Sequence, residues 1–410
     1  IKNKTLYKFA KTPVMSTYLV YLGVGEFEYL SSKIGKTQIR VVTTKGNKSH
    51  GQFALSLGKR LLKSYEDYFG IKYPLPKLDL IGIPDFAAGA MENWGAITFR
   101  ETILLYDPKN SSTKTKQYIT EVISHEIAHQ WFGNLVTMKW WNDLWLNESF
   151  ATFMATKFVD KFFPEWELWD QFVEDAMNNA MGIDALNSTH PIDIKVNSPA
   201  EIREIFDAIS YDKGGCVLRM LENYVGEGHF RKGLKKYLSD FRYQNAEGND
   251  LWNAIGKASK IPVNKMVQTW LKQPGFPLVE ISQNGDTLDI RQSRFLMEQK
   301  NKSKEKWLIP ISIGLTKEST HKLISEKSIK IKIPKNHLGF VANLGRKGFY
   351  RVKYDDGLLL NLKLLVGKNK INPIDRWAIQ NDLFALCVAG KEELRNYLDF
   401  TDAYYNEYTY

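Results

Sequence analysis

Residues 121–131 read EVISHEIAHQW, and His125, Glu126 and His129 stand together inside an otherwise apolar stretch. Helical spacing predicts one helix over residues 115–131. On such a helix His125 and His129 lie one turn apart on the same face, so both imidazoles reach a single ion. Glu126 is offset by one residue. It sits beside that ion rather than on it, where a base for a bound water belongs. The five-residue pattern also arises by chance in unrelated proteins, and two histidines do not complete a site. A catalytic zinc takes a third protein ligand and keeps one position for water. Residues 144–153, LWLNESFATF, offer Glu148, nineteen residues after His129, among Trp145, Leu146, Phe150 and Phe153. A carboxylate in such company is costly without a partner, and a metal ion would be that partner. The plainer alternative is a solvent-facing glutamate.

Outward from this pair of stretches, the chain changes texture several times. Residues 14–22, 24–30 and 37–44 read as strands and fit the last strands of an upstream β domain. Residues 50–70 read as a helix, 77–83 and 95–99 as strands, and the pattern is then helical from about 113 to about 271. Strands followed by helices give an α+β order. Pro274, Gly275 and Pro277 break it. Short strand-like runs at 278–281, 287–292, 308–315 and 349–354 follow, which predicts a small β-sandwich. From Pro373 the chain is helical again.

At 410 residues the chain is too long for one ordinary core, and two or three domains are expected. Hydrophobic content of 43% and aromatic content of 13% mark it as globular. The formal net charge of +10 is spread along the chain with no compact basic block, so the composition does not favour nucleic acid as a partner. Cys216 and Cys387 are the only cysteines. They are set in apolar helical contexts, which argues against a disulfide scaffold and for an intracellular, cytoplasmic protein. No run of 18 apolar residues is present, so no membrane span is expected. Residue 1 is Ile and the chain opens in strand-like sequence, which reads as part of a longer protein.

Four ordered motifs carry a resemblance. The segment His125–His129, followed by Trp131-Phe132-Gly133-Asn134-Leu135-Val136-Thr137, resembles the M1 family of zinc aminopeptidases, and Trp145-Leu146-Asn147-Glu148-Ser149-Phe150-Ala151 is similar to its second zinc segment. Gly89-Ala90-Met91-Glu92-Asn93 resembles the family's exopeptidase signature, and Ile209-Ser210-Tyr211-Asp212-Lys213-Gly214 the segment around its catalytic tyrosine. The texture is most like the archaeal tricorn-interacting aminopeptidases and the puromycin-sensitive cytosolic branch.

The resemblance implies a multidomain chain. Residues 1–44 would end an N-terminal β domain, and 45–275 would form a thermolysin-like α+β catalytic domain. Residues 276–362 would form the β-sandwich, and 363–410 would begin a helical C-terminal domain. It implies one zinc ion held by His125, His129 and Glu148, with Glu126 and Tyr211 catalytic. Gly89, Ala90, Met91, Glu92 and Asn93 would bind substrate, with Glu92 pairing the α-amine of peptides that have a free N-terminus. A second amine-binding residue is expected upstream of Ile1, and association with a larger protease complex is implied by resemblance only. The rival readings are a zinc endopeptidase, an epoxide hydrolase with aminopeptidase side activity, and a fragment that binds zinc and peptide without turnover. Gly-Ala-Met-Glu-Asn argues against the first. Ala90, where the hydrolase branch shows a second glycine, argues against the second.

Overall fold

A computed structural model of the chain describes residues 4–298, 304–315, 318–333 and 339–409. It divides into two compact units, Ile1–Trp140 with Leu234–Asp250, and Trp141–Gly233 with Leu251–Tyr410.

The first unit is built on a five-stranded sheet ordered β1-β2-β3-β5-β4. Its strands are β1 (Phe27–Ile34), β2 (Thr37–Thr44), β3 (Lys77–Ile83), β4 (Ala90–Met91) and β5 (Ala96–Arg100). β1 and β2 form an antiparallel hairpin, and Gly35 takes the positive φ of 55° that its two-residue turn requires. β2, β3 and β5 run parallel. Helix α1 (Gln52–Phe69) makes the crossover between β2 and β3. β2 buries alternate residues, whereas β3, flanked on both sides, is buried from Leu78 to Gly82. Gly58 lets α1 close on the sheet, since a Cβ there would meet Leu80 at 3.0 Å and Ile39 at 3.1 Å. The one acid inside this run, Asp79, is matched by Arg40 through two bonds of 2.6 Å and by Lys77 at 2.7 Å.

The expected strand at 14–22 is not formed. That stretch holds a single 3-10 turn, Thr17–Leu19, and buried Leu19 accepts a bond from the Asn93 amide at 3.4 Å. A run of β-prone apolar residues makes a strand only where a partner supplies the ladder, and β1 is paired with β2 alone among the described residues. Residues 27–44, which the sequence reading attached to an upstream β domain, lie in one sheet with β3 and β5 because β2 pairs in parallel with β3.

Two helices follow, α2 (Glu101–Leu104) and α3 (Thr113–Ala128). The Ser112 hydroxyl caps α3 by accepting from the Thr115 N–H at 3.0 Å. The helix ends at Ala128, short of the expected 131, because Gln130 and Trp131 bond back three residues and Gly133 reverses the chain at a φ of 126°. Short strands β6 (Val136–Met138) and β7 (Gln244–Ala246) then pair in parallel.

The second unit opens with α4 (Trp145–Phe162) and continues in helices to Leu271. Two segments, Val173–Met177 and Ile209–Lys213, are wound as π-helical turns. A four-stranded sheet, β12-β9-β8-β14, and a three-stranded one, β11-β10-β13, make up the sandwich region. The strands are β8 (Pro277–Asn284), β9 (Thr287–Arg294), β10 (Ile309–Leu315), β11 (Glu318–Ile324), β12 (Ser328–Lys332), β13 (Val341–Ala342) and β14 (Arg351–Tyr354). Ile281, Leu288, Ile290, Ile309 and Ile311 are among its buried side chains. The helices Asp356–Gly367, Pro373–Val388 and Leu394–Thr401 close the chain. Buried Asp382 ties them to the strands, accepting from Arg346 at 2.5 and 2.6 Å, from Arg351 at 2.9 Å and from the Val352 N–H at 2.9 Å.

Candidate metal centre

His125 lies in the last turn of α3, and His129 is the residue that terminates it, with φ −56° and ψ −22°. That near-helical geometry keeps the two rings one turn apart although the helix has ended. Their Nε2 atoms face each other at 3.0 Å, with the ring planes at 78°. Two ligands at about 2.0–2.1 Å on a tetrahedral ion stand about 3.3 Å apart, so the pair is spaced to share one ion. His129 Nδ1 lies 3.0 Å from the Phe132 carbonyl oxygen. A carbonyl only accepts, so Nδ1 carries the proton and the neutral ring presents the Nε2 lone pair. Tyr65 on α1 steadies the same turn, its hydroxyl 2.9 Å from Ser124 Oγ and 3.1 Å from the Ser124 carbonyl oxygen.

His125, His129 and Glu148 form a group of three donors able to hold one metal ion. Two imidazole nitrogens and one carboxylate oxygen are the donor types of a three-ligand zinc site. The fit makes one candidate zinc site, and one ion per chain.

A second group shares His129. Glu92, Glu126 and His129 are all buried, and one ligand atom of each lies within 4.8 Å of the others. Glu126 is expected there, as the neighbour of His125 in the same helix. Glu92 arrives from 37 residues upstream of His129. It follows β4, which pairs antiparallel with β5 and forms the edge of the sheet, Ala90 opposite Phe99 and Met91 opposite Thr98. Two side chains hold it from behind. The Asn134 amide donates to the Glu92 carbonyl at 2.8 Å, and the Gln130 amide donates to it at 3.4 Å and to the Glu126 carbonyl at 3.0 Å. The Asn93 side chain accepts from the Thr98 hydroxyl at 2.9 Å and donates to Leu19, so its amide is spent on holding the turn. Asn134 was legible only as a member of the motif and Gln130 only as part of the stretch 121–131, with no role attached to either.

Within the second unit, the segments bearing Glu148 and Tyr211 are joined side by side. Glu148 stands in the first turn of α4, and the next residue, Ser149, donates to the Ser210 carbonyl at 2.6 Å. Gly214 permits this approach, because a Cβ there would fall 1.9 Å from Ser149 Oγ and 2.7 Å from Ser149 Cβ. The Tyr211 turn has further anchors. The Asp207 carboxylate accepts from the N–H groups of Ile209 and Ser210 at 3.0 and 3.1 Å. His190 Nε2 lies 2.8 Å from the other Asp207 oxygen, and its Nδ1 lies 2.8 Å from the Pro191 carbonyl. Both neighbours of the ring are acceptors, which favours the doubly protonated imidazolium. The bond to Asp207 accordingly raises the His190 pKa. Burial raises Asp207, but the His190 and backbone donors outweigh it and leave the carboxyl lowered. Lys213 makes a fully buried ion pair with Asp184 at 2.9 Å and donates to the Gly275 carbonyl at 3.1 Å. Burial pushes the carboxyl of Asp212, beside Tyr211, up to about 6. None of these anchors carries a sequence signal beyond its residue type.

The chain matches the peptidase family M1 domain over residues 53–270 and an ERAP1-like C-terminal domain over 340–410. It is 45% identical over 395 residues to "Probable aminopeptidase 2" of Sulfurisphaera tokodaii, covering 96% of this chain and 50% of the relative. It is 43% identical over 398 residues to "Tricorn protease-interacting factor F2" of Thermoplasma acidophilum, covering 97% and 49%. It is 41% identical over 427 residues to "Aminopeptidase M1" of Arabidopsis thaliana, covering 100% and 48%. The chain thus spans about half the length of the curated relatives it matches. With the first family model covering more than half of its residues, the two histidines and Glu148 in one donor group, and Glu92 and Glu126 gathered at His129, the chain belongs to peptidase family M1.

Proposed function

We propose that this chain carries the catalytic centre of a zinc aminopeptidase, which removes the N-terminal residue of peptides. The observation that carries the reading is the buried grouping of Glu92 and Glu126 with His129. One carboxylate beside the metal ligands serves hydrolysis. A second, brought there by the sheet edge, has a use only if the substrate presents a positive charge next to the scissile bond, as a free α-amine does.

When bound by His125, His129 and Glu148, zinc supplies a Lewis acid for the scissile carbonyl and for the attacking water. Glu126 takes the proton that the water gives up and returns it to the departing amine. The Tyr211 hydroxyl donates to the carbonyl oxygen as negative charge develops on it. Glu92 holds the α-amine, and the edge strand Ala90–Met91 offers backbone groups along which an extended peptide aligns, with Gly89 and Ala90 leaving room for close approach. Asn93 keeps this turn in place through Thr98.

The test is hydrolysis of one apolar peptide by the zinc-loaded chain, with a free amine and again N-acetylated, with metal content measured on the same sample. Stepwise cleavage of the free form alone is expected. Cleavage of both forms would move the protein to the endopeptidases, bound zinc without cleavage would leave a zinc- and peptide-binding module, and absence of zinc would overturn the ligand assignment. The two cysteines are free thiols, which supports a reducing, cytoplasmic setting, and no described helix is long and apolar enough to cross a membrane. By likeness to the relatives named as tricorn-interacting factors, we extend the proposal to association with a larger protease, to be checked by co-sedimentation.

A further inference from the structure

The second unit contains a cleft of about 400 Å³ lined by Lys157, Trp169, Arg219, Glu222, Asn223 and Lys347 together with Gly226 and Glu227. A cleft of this volume is in the range of small-molecule sites. Its charges are unevenly matched. Lys157 is fully engaged, with Glu222 oxygens at 2.8 and 3.0 Å and a Glu227 oxygen at 2.9 Å. Arg219 is different. It lies on the helix Gly214–Val225 with only 9% of its surface exposed, and its guanidinium stacks over the Trp169 ring at 4.6 Å. Its bonds run to two carbonyls of the turn before Lys347, Arg346 at 3.3 Å and Gly345 at 3.4 Å, and both are long. No described carboxylate pairs with it, and Asp170 and Asp160 act on it only through space. Lys347 is exposed at the mouth of the cleft and likewise has no ion pair among the described residues. Asp375 and Glu222 reach it through space, and Arg219 repels it.

Burying a cation without a counter-charge is costly. Its mark is visible on both groups, since burial draws Arg219 down to about 10 and lowers Lys347 as well. A planar guanidinium and a nearby ammonium facing one cleft are complementary to a compact oxyanion, which the arginine grips through two parallel N–H bonds.

We propose that this cleft binds a small organic oxyanion, a carboxylate or a phosphate ester, with Arg219 and Lys347 as the two cationic contacts. None of the residues assigned to hydrolysis lines this cleft.

The test is calorimetric titration of the zinc-loaded chain with inorganic phosphate and, separately, with benzoate at matched ionic strength. The same titrations are run on Lys347→Met and Arg219→Lys. Saturable binding of at least one probe is expected, weakened about tenfold or more in each variant, as loss of a charge-assisted contact implies. Which probe binds tells phosphate from carboxylate. Arg219 also braces the turn at Gly345, so an Arg219→Lys chain that misfolds by circular dichroism is set aside and exposed-side Lys347→Met decides. Absence of binding by both probes overturns the proposal. So does binding unchanged in Lys347→Met, the behaviour of an anion resting on the metal.

Discussion

Glu126 and His129 are separable at the level of single residues. His129 is oriented by the Phe132 carbonyl and presents its lone pair, whereas Glu126 belongs to the carboxylate group beside it. Glu126→Gln is therefore expected to keep zinc at one per chain and to lower kcat about 10²- to 10⁴-fold, the usual worth of a positioned base. Metal analysis and turnover on the same preparation check this. Loss of zinc in that variant would make Glu126 a ligand and require the roles to be redrawn. The positions of Gln130 and Asn134 matter for a different reason. They satisfy the backbone carbonyl of Glu92 inside a buried turn, where an unmade hydrogen bond is costly.

Among the elements, the π-helical turn Ile209–Lys213 is held by several long-range anchors. Ser149, Asp207 and Asp184 each bind it, and Gly214 lets α4 lie against it. Gly214→Ala forces Ser149 and the adjoining Glu148 turn to shift. A loss of about 1–3 kcal/mol is expected from overpacking, together with weaker zinc retention. Denaturant unfolding and a zinc-chelator titration would reveal it, and wild-type values in both would show that the contact relaxes freely.

The His190–Asp207 pair makes this same turn sensitive to pH. His190 has its pKa raised in the folded state, so its contribution is complete below the unfolded value of about 6.5 and is lost as pH rises through the folded value. Asp207 is lowered, so its part is complete above about 3.9 and fades as pH falls through its folded value. The pair is thus at full strength from about pH 4 to 6.5. Melting temperatures from about pH 6 to 9 should fall more steeply for the wild type than for His190→Gln. Parallel curves would remove the pair from any account of pH dependence.

For the molecule as a whole, a ligand that binds only the folded chain stabilises it by mass action. His125, His129 and Glu148 are brought into one group by folding and not by adjacency alone. Zinc removal is expected to lower the melting temperature, with about 2.7 kcal/mol at stake when free zinc stands at 100 times its dissociation constant. Calorimetric scans with and without chelator measure it, and identical scans would mean that the donors do not act as one site. The same reasoning predicts that re-added zinc restores both the melting temperature and turnover.

The sequence by itself determined what short-range physics controls. Strands at Thr37–Thr44 and Lys77–Ile83 were readable because side-chain alternation and continuous apolar runs are set within a few residues. The helix before His129 and the one-turn spacing of the two histidines were readable for the same reason, as was the change to strands after Pro274. Tertiary structure alone decided the long-range pairings. Residues 27–44 join the sheet of β3 and β5, while residues 14–22, also strand-like in composition, stay out of it, because a strand exists only where a partner completes its hydrogen bonds. Tertiary structure also set the end of α3 through Gly133, brought Glu92 to His129 on the edge of that sheet, and left Arg219 lining a cleft with no described carboxylate paired to it. Each of those outcomes depends on groups far apart in the chain, whose distances no local pattern encodes.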